Sequence, residues 1–162
     1  MKIVDRIFNT VLTADDSSAQ EELGSFRFED GNIYKYVQFQ DTITAALGGP
    51  VLLDGTSSYK VTVDVGSGAG VGGVIGVALT TNTPEYYGWI QTYGVATVRT
   101  TDALSAGDHL IVSGTDNSWV KGLHTYTSEQ AVVITAFKSG AVVLETYNTA
   151  AITTLTAFIR CM

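Results

Sequence analysis

The chain has 162 residues, of which 45% are hydrophobic and only 15% charged, with a formal net charge of −7 and a pI of about 4.6. An acidic chain with no Lys/Arg cluster repels a phosphate backbone, which argues against nucleic-acid binding. No apolar run approaches the ~20 residues that cross a bilayer as a helix, and the single cysteine, Cys161, excludes an intrachain disulfide or a multi-cysteine metal site.

Met1 to Gln20 reads as an N-terminal arm. Ile3, Val4, Ile7, Phe8, Val11 and Leu12 are apolar at spacings near three and four, which fits a short amphipathic helix or an extended segment. Lys2 and Asp5 follow Met1 too closely for the apolar core of a signal peptide, so none is expected. Asp15, Asp16, Ser17 and Ser18 then form a turn or a helix cap. The arm is expected to pack less well than the body when the protein is alone.

From Gly24 onward the signals are β. Phe26–Glu29 and Ile33–Phe39 flank a tight turn at Asp30-Gly31 and read as a hairpin. Val51–Leu53 ends at the Asp54-Gly55 turn, and Tyr59–Val65 alternates over its length. Val74–Leu79 reads as a more fully buried strand, and Gly88–Val98 as a long strand bent at Gly94. Leu110–Val112 precedes a turn at Gly114–Asn117. Ala131–Phe137 and Val142–Tyr147 flank Ser139-Gly140 as a second hairpin. Ala150–Met162 reads as a Thr-rich, apolar C-terminal tail.

Short strands with a turn every ten or so residues, and no capped helical pattern, predict an all-β fold: a small β-barrel or β-sandwich built of hairpins, with extended N- and C-terminal arms. The expected division is an arm over 1–20, a barrel or sandwich body over 21–149 and a tail over 150–162. The body also repeats itself at an offset of about 58 residues. Ala45–Leu53 matches Ala103–Ile111, and Val74–Leu79 matches Val132–Phe137. An internal duplication is therefore expected, and a duplicated β-unit closes naturally into a barrel with few open edges.

No motif points to catalysis or to a cofactor. Gly68–Gly73 fits G-x-G-x-x-G, but that chemistry needs a helix next, and a strand-like run follows. No acidic residue lies about twenty positions on to hold a ribose. It reads as a glycine loop between strands. His109 and His124 have no second ligand at a metal-like spacing, and no calcium loop is present. The carboxylate pairs Asp15/Asp16 and Glu21/Glu22 lie at the arm, where a tuned, buried pKa is not expected. Trp89, Trp119, Tyr86, Tyr87, Tyr93 and Tyr126 fit a core or an interface, with a sugar-stacking platform as the rival. The paucity of charge has a positive meaning too. A surface of Thr, Ser, Gly and Asn is cheaper to desolvate than one of Lys and Glu, which suits packing against other proteins.

Three segments carry a resemblance: Val74–Leu79, the run Tyr87–Val98, and the turn Ser105-Ala106-Gly107-Asp108. Together with Leu23–Arg27, Asp30-Gly31 and the aromatic strand Tyr34–Phe39, they are similar to the capsid decoration (cement) proteins of tailed phages. The resemblance covers about Leu23 to Gly114 well, the C-terminal third loosely and the N-terminal arm not at all. It implies a non-enzymatic virion protein on the outer capsid surface, without cofactor or metal. Such a protein acts as a homo-oligomer, commonly a trimer, that bridges subunits of the major capsid protein. The apolar residues of the two arms, Ile3, Ile7, Phe8 and Leu12 at one end and Ile152, Leu155, Phe158 and Ile159 at the other, are the expected capsid or protomer contacts. A carbohydrate-binding or fibre-type receptor module and a head–tail or tail-tube protein are the alternatives.

Overall fold

In the computed structural model of the chain, residues 8–40, 45–54, 59–63, 73–113, 117–122 and 140–161 are described. They form ten strands and, among the described residues, no helix: β1 (Phe26–Glu29), β2 (Asn32–Phe39), β3 (Pro50–Leu53), β4 (Lys60–Thr62), β5 (Val74–Ala78), β6 (Tyr87–Thr100), β7 (His109–Val112), β8 (Trp119–Lys121), β9 (Ala141–Val143) and β10 (Thr153–Arg160). The all-β class is as expected. Asp30 and Gly31 both take positive φ, 49° and 79°, the type I′ geometry whose twist matches that of the flanking strands β1 and β2.

The strand pairings close two rings that share one strand. β2, β4, β3, β5 and β6 form the first, closed by β2 on β6. β6, β8, β7, β9 and β10 form the second, closed by the parallel bridge Thr100↔Trp119. Each ring has the same wiring, with one parallel pair (β2–β4, β6–β8) and the rest antiparallel. β6 is the last strand of the first barrel and the first strand of the second.

Details of the ladders repeat as well. Gly48 N–H donates to Ala78 O at 2.9 Å and Gly107 N–H to Val143 O at 2.9 Å. The bridge Ala45↔Asn82 has its counterpart in Leu104↔Tyr147. Gly48 and Gly107 share a left-handed φ, 75° and 91°. The expected duplication is thus visible in the backbone, with a corrected register. Ala45 matches Leu104, an offset of 59, not Ala103. Val74–Ala78 matches the strand ending at Val143, an offset of 65, and not Val132–Phe137, which lies outside the described residues.

Each barrel has its own core. Val37, Phe39, Val51, Val61 and Ile90 fill the first, and Val98, Leu110, Trp119, Leu155 and Ile159 the second. The barrels meet at Gly48, whose carbonyl accepts the Trp119 indole N–H at 3.1 Å and the Arg99 amide at 2.8 Å. A Cβ at Gly48 would sit 2.8 Å from the Arg99 nitrogen, so only glycine allows this approach. Gly94, with φ at 104°, turns β6 from one barrel to the other. It marks the predicted bend.

Two other expectations change, and a third falls almost wholly outside the described residues. The C-terminal stretch is extended, but it is β10 inside the sheet and not a free tail: it pairs β6 over eight residues and β9 over three. Its Thr-Leu-Thr-Ala-Phe-Ile alternation puts Leu155, Ala157 and Ile159 inside, and burying them outweighs the freedom of a loose end. Of the second expected hairpin, Ala131–Phe137 lies outside the described residues, and Val142–Tyr147 is strand only as far as Val143. The Gly68–Gly73 motif lies outside them except for Gly73.

Candidate assembly surface

The N-terminal arm, from Phe8 on, is docked on the body. Phe8 meets Trp89 edge to face at 5.1 Å, and Tyr36 meets the same ring at 5.1 Å. Leu12 packs against this cluster. The Trp89 indole N–H donates to Thr10 Oγ1 at 2.9 Å. Asn9 and Thr10 amides donate to the Glu21 carboxylate at 2.6 and 3.2 Å. Asp16 and Tyr87 exchange backbone hydrogen bonds, and Asp15 accepts from the Thr83 amide and hydroxyl. Burial, helped by the negative charges of Asp16 and Glu21, raises the Tyr36 pKa against the Gln20 amide that donates to its oxygen. Phe8 and Leu12 are therefore spent on the chain's own surface. Ile3 and Ile7 lie outside the described residues.

The four C-terminal candidates separate. Leu155 and Ile159 are buried in the core of the second barrel. Ile152, 67% exposed, precedes β10. Phe158 points outward and meets Tyr93 edge to face at 5.1 Å.

Register places a different set together. Phe28 lies opposite Ile33, Ile33 opposite Tyr93, and Phe158 opposite Val95. Side chains paired across strands share a face, so these five form an outward apolar band over β1, β2, β6 and β10. Phe28 is 74% exposed and Val95 52% exposed. An open pocket of about 360 Å³ lies between Phe28, the Asp30-Gly31 turn and Tyr93. Phe26 continues the exposed edge, and its ring carries the Lys35 ammonium at 5.7 Å, with the Tyr59 ring at 5.4 Å on the same ammonium. Burial there lowers the Lys35 pKa. The sequence carries one signal for this surface: the Phe-Arg-Phe-Glu alternation, which sets both phenylalanines on one face.

The remaining chemistry is structural. The Cys161 thiol is buried, donates to Gly140 O at 3.3 Å, and is pushed up to about 12 by loss of solvation. A buried thiol of that kind neither ionises nor reaches another chain. Trp89 and Trp119 are fully buried and cannot stack on a sugar; Tyr126 and His124 lie outside the described residues. Among the described residues no group of three His, Cys, Asp or Glu side chains could hold a metal ion.

No family model matches the chain, and no curated protein matches it significantly. Among solved structures, it is similar to the N base of the head fiber gp8.5 of bacteriophage phi29, with a TM-score of 0.49 and 11% sequence identity, over 78% of this chain and 93% of that one.

Proposed function

We propose that this chain is a non-enzymatic structural protein of a tailed-phage virion, one that binds the outer face of an icosahedral capsid and stabilises it by bridging major capsid protein subunits. One observation carries the reading. One of the runs that carry the resemblance, Tyr87–Val98, is most of the strand that both barrels share, and the same run supplies Tyr93 and Val95 to the outward apolar band. A body built on a shared strand is a stiff spacer, and an exposed apolar band of this kind marks a contact site. A capsid pressed from within fails at its joints. A protein gripping several subunits adds contacts there, and weak individual contacts suffice when several act at once.

The test is co-sedimentation of the purified protein with capsids that lack it. The expected outcome is capsid-bound protein, a raised rupture temperature for the shells, and weaker binding by Val95→Asp, whose exposed position spares the fold. Wild-type protein left wholly in the supernatant would refute the proposal. The sugar-binding alternative loses its motivation with both tryptophans buried.

A further inference from the structure

We infer that β1 is a self-association edge, joining two copies of the chain by antiparallel pairing of β1 with β1 about a two-fold axis. Both barrels are closed rings, so each strand in them has a neighbour on either side. Among the described residues β1 alone is paired on one side only, to β2. The two-residue turn makes Glu29 and Asn32 a hydrogen-bonded pair, and by alternation Arg27 pairs in the same way with Tyr34. The Tyr36 amide, donating to Ser25 O at 2.9 Å, keeps that parity. The N–H and C=O groups of Phe26 and Phe28 therefore point outward, at the open edge. Phe28 is also the most exposed large apolar residue described.

Open edges are usually guarded against pairing, most simply by charges of one sign that repel a second copy. The charges here do the reverse. Arg27 and Glu29 flank Phe28 and already pair with each other at 2.5 Å. An axis through Phe28 sets Phe28 against Phe28 of the second copy, with both exchanging backbone hydrogen bonds. It also sets each Arg27 opposite the second copy's Glu29. The contact is self-complementary in backbone, ring and charge. Opposed unlike charges and paired aromatics both favour antiparallel strands. Because the edge meets only itself, this contact joins copies in pairs. The trimer implied by the sequence resemblance would have to use side-chain faces elsewhere, and the two contacts are independent. The inference does not rest on the virion reading.

Sedimentation velocity across a concentration series tests it, with circular dichroism to check folding. Phe28→Pro removes the outward N–H and the ring while leaving the bonds to β2, a position where an edge strand accepts proline. The wild-type mass at high concentration is expected to be twice that of Phe28→Pro. Glu29→Lys, which sets like charges opposite each other, is expected to weaken pairing about tenfold or more. The double exchange Arg27→Glu with Glu29→Arg is expected to restore it. An equal mass for wild type and Phe28→Pro, or no rescue by the double exchange, overturns the inference.

Discussion

Cys161 shows how position changes what a residue does. In sequence it falls in the stretch Ala150–Met162 that reads as a C-terminal tail. In the fold it follows β10 and lies against Gly140, in the core cluster that also holds Trp119, because β10 is a core strand. Burial raises its pKa from an ordinary 9.0 to about 12. The sign follows: between these values the unfolded thiol has lost its proton while the native thiol keeps it. The native state then binds more protons, so stability is full below pH 9 and falls as pH rises toward 12. The slope reaches about 1.4 kcal/mol per pH unit at most. Urea unfolding at a series of alkaline pH values should show this slope in the wild type and lack it in Cys161→Ala, the difference between the two profiles isolating the thiol. The thiol should also resist Ellman's reagent until the protein unfolds. Gly94 is legible as a bend because glycine within a strand run has few other uses. The Gly48 contact is not legible, since it depends on Trp119 arriving from 71 positions away.

At the scale of elements, the local signals are readable and the long-range ones are not. The β1–β2 hairpin can be read from Asp30-Gly31 alone, since few other dipeptides accept two positive φ values in succession. β10 reads as a tail because its alternation is clear but its partner, the second half of β6, is over fifty residues earlier. The arm is plainly apolar in sequence, yet its docking turns on Thr10, a residue with no distinguishing context there. Thr10→Val is nearly isosteric and removes the acceptor of the buried Trp89 N–H. Leaving that donor unsatisfied should cost about 1–3 kcal/mol, read from urea unfolding, with a change in tryptophan emission below the transition. An unchanged midpoint would mean that the arm adds nothing to the body. Deleting residues 1–20 would strip Phe8, Thr10 and Leu12 from Trp89 together, so that deletion reports on folding as well as on binding.

For the whole molecule, the duplication is legible in outline because the Gly turn before β3 recurs before β7. Its register drifts because the second copy is longer between its third and fourth strands. There, 20 positions separate Lys121 at the end of β8 from Ala141 at the start of β9, against 12 from Thr62 at the end of β4 to Val74 at the start of β5. Sharing β6 has a thermodynamic consequence. Neither barrel can lose its ring without taking a strand from the other, so the two should unfold in one step. Val61→Ala in the first core and Leu110→Ala in the second should each lower a single calorimetric transition, by about 2–4 kcal/mol for the larger side chain. Two resolved transitions, with each substitution moving only one, would show that the barrels are separate folding units. The shared strand also fixes how the molecule carries load. Domains joined by a linker part at the linker when pulled. Here a pull applied across the two barrels runs along the covalent backbone of β6, a continuous strut of 14 residues and roughly 45 Å, and yields only when the ladders on both sides of it are sheared together.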